Sequence, residues 1–259
     1  MENQDAEVKF AQKIVDCINL LRNDTSHFIQ LLEQRANTYE GLVYSDSKGV
    51  RYKSHEGKEA VEEAMMEIST VGALTEVKRT EKLDVTAQEH CDYLIGSGHL
   101  GHMGENNLTF VRRLEKHCSW SGKVVQLIGT SCSSPEDFVV QWLVDDTIRA
   151  KNNRRALMNP SLKKIGAAFA SAHKKCGTLA VIILATEVGP KGAELIPPNT
   201  NPELYHKLPE KLRELPTGAR EMLVTRLVVN EFGKTKQTFK ANYTMIDGTT
   251  TTDTKEIYN

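Results

Sequence analysis

Gly98-His99-Leu100-Gly101-His102-Met103-Gly104 opens the stretch that decides the fold, and Trp120-Ser121-Gly122-Lys123-Val124-Val125-Gln126 continues it. The stretch closes with Trp142-Leu143-Val144-Asp145-Asp146, then Asn153-Arg154-Arg155-Ala156-Leu157-Met158-Asn159-Pro160. Its glycines argue against a helix through positions 98–104, because glycine gives up the most backbone freedom in a helix. Val124 to Ile128 is a short apolar run with strand character. Ser133-Ser134-Pro135-Glu136-Asp137 starts a helix that carries Phe138, Val139, Trp142 and Leu143. Proline at the first helical position loses only an N–H that has no partner there.

Working outward, Phe10, Ile14, Cys17, Ile18 and Leu21 recur at helical spacing, and Phe28, Ile29, Leu31 and Leu32 resume it after Asn23-Asp24-Thr25-Ser26. The interruption predicts two helices with a cap between them. Asp46-Ser47-Lys48-Gly49 is a turn between short Val/Tyr segments. Ser54-His55-Glu56-Gly57 leads into a helix through Val61, Ala64, Met65 and Ile68. A third helix holds Leu83, Ala87, His90, Cys91 and Leu94 and stops near Gly98. Ile165–Phe169 and Leu179–Leu184 are further strands, the second apolar throughout and so expected at the centre of a sheet.

The composition changes at Gly189-Pro190. Pro197-Pro198-Asn199-Thr200-Asn201-Pro202 reads as a linker, and Asp247-Gly248 as a turn. Met222–Phe232 and Thr235–Ile246 flank Gly233-Lys234 and predict a β-hairpin. A lone hairpin is marginal in water, so this tail must pack on something. The division expected is 1–189 as the main domain, 190–220 as a linker and 221–259 as the hairpin tail.

The chain has 259 residues, 39% hydrophobic and 26% charged, as in ordinary globular proteins. Lys and Arg number 33 against 34 Asp and Glu, which gives none of the basic excess of a nucleic-acid binder. No apolar run approaches the ~20 residues of a membrane span. Met1-Glu2-Asn3-Gln4-Asp5 is acidic and polar and does not read as a secretory signal, so a cytoplasmic location is expected. Five widely spaced cysteines (17, 91, 118, 132 and 176) form no CxxC pair, which favours reduced thiols over a disulfide framework. Neither G-x-S-x-G nor G-x-x-x-x-G-K occurs, so serine-hydrolase and P-loop chemistry lack their motifs.

Residues 8 to 189 resemble the CAP superfamily, also called SCP-like: cysteine-rich secretory proteins, insect venom antigens and plant pathogenesis-related proteins. Leu20-Leu21-Arg22-Asn23-Asp24, His55-Glu56-Gly57-Lys58, His90, His102 and Gly104, Arg113, Trp120-Ser121-Gly122-Lys123, Asp145-Asp146 and Asn159-Pro160 before Gly166 carry the resemblance. His173-Lys174-Lys175 and the run to Ala185 match the final strands. The pattern is most similar to cytosolic SCP-like proteins of single-celled eukaryotes. The resemblance implies an α+β fold, a three-layer α-β-α sandwich with a mainly antiparallel central sheet, extended here by the C-terminal β-hairpin.

Many members of the family line a cleft with two histidines and two acids, which in some hold a divalent metal. By resemblance those pocket positions are His102, Gln126, Asp145 and Asn153, so an amide stands in place of one acid and one histidine. Zinc asks for three or four His, Cys or carboxylate ligands, and an amide is a poor one. Nor do Gln and Asn exchange protons near neutral pH. His99, with His102 and Asp145, is the remaining metal candidate, and Glu105 lies close in sequence; the reading adopted is a solvated loop with one pocket histidine and no bound metal or cofactor. His90 is expected on a helix face, His173 in an exposed turn, and Lys151–Arg155 in a solvated basic loop. His117 adjoins Cys118 with no third group to complete a nucleophilic pair.

These residues favour a non-catalytic intracellular binding or structural protein working through protein–protein contacts. Family distribution extends this to a large cytoskeletal or ciliary assembly. The alternatives are a metal-dependent hydrolase or protease using His102 and Asp145, and lipid or sterol binding in an apolar groove.

Overall fold

The computed structural model describes residues 2–46, 49–146, 148, 150–193, 195, 208–209, 212, 219–231, 234–245 and 249–258. Helix α1 (Glu2–Asn23) buries Ile14, Ile18 and Leu21 on one stripe. The Asp24 carboxylate accepts the Ser26 N–H at 2.9 Å where the chain turns into α2 (Ser26–Ala36). The expected cap is thus made by Asp24, while Thr25 keeps helical dihedrals and makes no side-chain cap bond. Strands β1 (Val43–Ser45) and β2 (Arg51–Lys53) form an antiparallel ribbon that sets Tyr44 opposite Tyr52. Helix α3 (Lys58–Ser69) follows Gly57, whose φ of +74° suits glycine.

The mixed α and β character expected from sequence is present. A four-stranded sheet runs in the order β3 (Lys78–Arg79), β5 (Lys164–His173), β6 (Gly177–Pro190), β4 (Cys118–Thr130). β3 lies parallel to β5. Three residues link β5 to β6, too few for a parallel crossover, so this pair is antiparallel. Leu179 through Ala185 are all buried, in keeping with an inner strand covered on both faces.

Alternation along β5 shows what covers it. Ile165, Ala167 and Phe169 share one core with α1, α2, α3 and the helix α6 (Pro135–Val144). The Phe10 ring of α1 stacks on Phe169 at 3.9 Å. Gly166 points the other way, against the backbone of helix α4 (Glu81–Ser97), where a Cβ would fall 2.2 Å from the Leu83 carbonyl carbon. α4 buries Leu83, Ala87, Cys91 and Leu94, then ends at left-handed Gly98 as expected. In α6, the Ser134 hydroxyl accepts the Asp137 N–H, with Pro135 in the first turn.

Some elements have no counterpart in the sequence reading: β3, a short 3-10 turn (Glu105–Asn107), α5 (Phe110–His117) and α7 (Asn152–Leu157). The basic run Lys151–Arg155 is not a solvated loop. Lys151 and Arg154 are buried, the first paired with Glu56 at 2.8 Å, the second with Glu63 and Glu67 at 2.7 Å each. The acids that take up this charge lie about ninety residues earlier, beyond the reach of local pattern. His173 is likewise buried at the end of β5, not exposed in a turn. Its Nδ1 accepts the Lys175 N–H at 3.2 Å and lies 3.1 Å from the Cys176 sulfur.

By contact the chain groups into one unit of Met1–His117 with Val125–Leu184 and a second of Cys118–Val124 with Ala185–Asn259. In the second, β7 (Ala219–Glu231), β8 (Lys234–Met245) and β9 (Thr250–Tyr258) form an antiparallel sheet. The expected hairpin is therefore joined by a third, threonine-rich strand. Met222, Phe239, Ala241 and Tyr243 form its core with Leu208, Leu212 and Ala219. The Pro197–Pro202 linker and the Asp247-Gly248 turn lie outside the described residues.

Candidate functional site

The four pocket positions come from four separate elements. His102 lies in the irregular loop after Gly98, with its side chain exposed. Gln126 is buried in β4, Asp145 ends α6 in the left-handed region at φ 49°, and Asn153 stands in the first turn of α7. They meet as two pairs. His102 Nδ1 lies 3.1 Å from Gln126 Oε1, and Asn153 donates its backbone N–H and its Nδ2 to Asp145 at 2.8 and 2.7 Å.

Arg113 of α5 fixes the first pair. It is 2% exposed and donates to the His102 carbonyl at 2.9 Å, the Leu108 carbonyl at 2.7 Å and Gln126 Oε1 at 3.3 Å. A guanidinium only donates, so the Gln126 oxygen faces it and the amide orientation is set. His102 must then carry its proton on Nδ1 to donate to the same oxygen. Gln126 Nε2 is buried without a partner among the described residues. Where a carboxylate would pull a proton toward this imidazole, an uncharged carbonyl oxygen holds one tautomer in place.

In the second pair Asp145 is the acceptor, and its partner Asn153 is an amide that takes up no proton near neutral pH. Burial pushes its carboxyl above the ordinary range, opposed by the donors of Asn153 and Arg154 and by Lys151. Both oxygens are engaged by Asn153, so the carboxylate orients the start of α7. Asp146 acts similarly, accepting the backbone N–H groups of His55 and Glu56 at 2.8 and 2.9 Å. Among the described residues no three His, Cys, Asp or Glu side chains are grouped to hold a metal. His99 stays exposed, tied through its backbone N–H to the Ser97 hydroxyl.

His90 and His117 are engaged locally. His90 is fully buried in α4 and donates Nε2–H to the Gly101 carbonyl at 2.9 Å. Burial and the neighbouring Arg113 lower its pKa to about 4. His117 does have a third group near it: Nε2 lies 2.7 Å from Glu89, which Lys116 also contacts. Cys118 is buried, so no accessible nucleophile completes the set.

Asp145 and Asn153 open onto a cleft of about 510 Å³ whose other wall the sequence reading did not anticipate. Tyr39, Tyr44 and Tyr52 line it as a row, with ring centres 5.3 and 5.4 Å apart, and the Arg35 guanidinium sits 4.7 Å above Tyr44. Asp46, Asp137, Asp146, Lys53 and His55 also reach it. The cross-strand register of β1 and β2 builds the row. A turn at Asp46–Gly49 was legible, but one slip in register would send Tyr44 and Tyr52 to different places. Trp142 forms the floor beside Ile128, whose carbonyl accepts its indole N–H at 3.1 Å.

No family model and no curated protein matches the chain. Among solved structures it is similar to an outer surface protein from Borrelia burgdorferi, at 17% identity over 44% of this chain and 80% of that one, with a TM-score of 0.37. It is also similar to an extracellular protein containing an SCP domain from Bacillus anthracis, at 12% identity over 50% of this chain and 38% of that one, with a TM-score of 0.36. Both likenesses are partial and fall below a TM-score of 0.5, and no family is assigned from them.

Proposed function

We propose that residues 1–189 form a CAP-type, SCP-like three-layer α-β-α domain that binds a partner and performs no chemistry. A linker over 190–220 and the β-rich tail from 221 complete this organisation. The observation that carries the proposal is the pairing of His102 with Gln126 and of Asp145 with Asn153. An amide accompanies each ionisable group, so neither pair supplies the acid–base couple that hydrolysis needs. Water activation by metal lacks a donor set as well, since two amides replace charged or imidazole ligands. The Asp145 oxygens are spent on Asn153, and the His102 tautomer is set by a neutral oxygen.

What is left is a preformed, polar, tyrosine-lined cleft of a size that suits a ligand or a peptide segment. Four buried cysteines and one partly exposed, none in a disulfide, are compatible with a reducing, intracellular setting, where contacts with other proteins would be the working output. The test is a panel of peptide and ester substrates with the wild-type chain, His102→Ala and Asp145→Asn. All three are expected to show the same background rate. A wild-type rate well above background and lost in both variants would overturn the proposal.

A further inference from the structure

We infer that the outer edge of β9 is a self-association surface, on which β9 of a second copy of this chain pairs antiparallel. β9 ends the order β7-β8-β9, and no strand lies on its outer side among the described residues. Thr250 through Glu256 are all exposed. The Met245 N–H donates to the Thr249 carbonyl at 2.8 Å, so Thr249 turns its backbone toward β8. From Thr250 to Tyr258 the register with β8 runs unbroken. Alternation along it turns the backbone N–H and C=O of Thr250, Thr252, Thr254 and Glu256 away from β8. Such an edge is a template for a further strand unless something guards it.

The charges on β9 select the occupant. Asp253 stands opposite Ala241 and Lys255 opposite Phe239, so β8 sets no opposite charge across from either. Neither has an ion-pair partner among the described residues, whereas Glu256 is held by Lys236 at 2.9 Å. The two signs share one face, with Thr254 between them, and Thr254 is the middle residue of the nine in β9. A two-fold axis through Thr254, perpendicular to the sheet, pairs all nine residues. It sets Asp253 against the partner subunit's Lys255, and does so twice. These positions carry no backbone hydrogen bonds across the new pair, which is where side chains approach most closely. Opposite charges directly across a strand pair are favourable and like charges are not. Moving the axis to Asp253 or to Lys255 would set a charge against itself. On β7, the other edge, the middle residue is Thr225, and the same operation sets Arg226 against Val224 and Glu221 against Val229. No charge is matched there. The charge pattern therefore fits β9 to its own copy, and two three-stranded sheets join as one across a closed, two-fold interface.

Sedimentation equilibrium of the full chain at low salt tests this. The wild-type chain is expected to be a dimer that dissociates on dilution. Asp253→Lys and Lys255→Asp each place like charges across the axis twice. Each should raise the dimer Kd at least about tenfold, the scale of two cross-strand pairs turned from attraction to repulsion. The double variant Asp253→Lys, Lys255→Asp restores the opposition and should return Kd to within about threefold of the wild type. Thr254→Pro removes the central N–H from both copies and should leave a monomer. In the monomer that N–H faces water, where an edge proline is tolerated. Leu227→Glu, on β7, should leave the dimer unchanged. Circular dichroism of each variant checks that the fold is kept. A monomeric wild-type chain would overturn the inference, and so would a dimer indifferent to both single reversals. Weakening by both reversals with no recovery in the double variant would overturn the antiparallel register. A dimer lost in Leu227→Glu and kept in Thr254→Pro would place the contact on β7 and overturn the inference. The substrate panel judges the cleft separately, since it involves none of these residues.

Discussion

Arg22 is 1% exposed and donates to four backbone carbonyls, those of Thr75, Leu157, Asn159 and Leu162. It ties the end of α1 to two stretches far along the chain, and its burial lowers its pKa. Replacing it with methionine leaves those carbonyls without donors, and each buried unpaired group costs about 1–3 kcal/mol. We expect Arg22→Met to lose at least about 3 kcal/mol in urea unfolding, and Arg22→Lys to recover little, because an ammonium lacks the planar fork. Burial also pushes the thiols of Cys17, Cys91 and Cys132 up to about 12. In the native protein Cys176, the partly exposed thiol, should react with a disulfide reagent at pH 8 well before the other four. The unfolded chain begins to lose thiol protons near pH ~8.5, so stability should fall as the pH rises from there toward about 12. His90 has the opposite sign in pH: its folded pKa near 4 lies below the ordinary 6.5, so stability should decline as the pH falls between those values. His90→Gln should flatten that slope.

At the scale of elements, sequence periodicity placed α1, α2, α3, α4 and α6 and the three long strands β4, β5 and β6, because each carries its own apolar pattern. It did not show α7 or β3, which are short and have only six and two residues. These are held by contacts with distant parts of the chain: Arg154 and Lys151 by acids before and within α3, β3 by two pairings with β5. The same reasoning explains His173 and the basic run, whose local sequence looks solvated and whose partners lie elsewhere. We expect Glu63→Gln with Glu67→Gln to cost about 2 kcal/mol, less than a fully buried pair because both glutamates stay partly exposed. Gly166→Ala tests the packing of α4 on β5. The added methyl would meet the backbone of Leu83 and Asp84, which cannot swing aside as a side chain does. A loss above about 3 kcal/mol in chemical denaturation is expected, as for severe overpacking. A change under about 0.5 kcal/mol, typical of a surface site, would show that α4 does not rest there.

For the molecule as a whole, the mixed α and β character was legible, and of the four positions read from the sequence Asp145 and Asn153 line the cleft, while His102 and Gln126 do not. The chemistry at those residues depended on pairings that no pattern states. Gln126 and Asn153 could be read as amides from the sequence. That Arg113 would turn the Gln126 oxygen toward His102, and that Asn153 would occupy Asp145, emerges only from the geometry. The tyrosine row was invisible for a related reason, since Tyr39 follows the end of α2 and its companions come from a ribbon whose register local sequence leaves open. These pairings are the ground for the proposal that the domain binds a partner and performs no chemistry. Calorimetric titration of the wild-type chain with zinc, beside His102→Ala, tests that proposal most directly. The account predicts no saturable binding by the wild-type chain, because His102 and Asp145 stand in separate pairs, each with an amide. Stoichiometric micromolar binding by the wild-type chain, lost in His102→Ala, would contradict it.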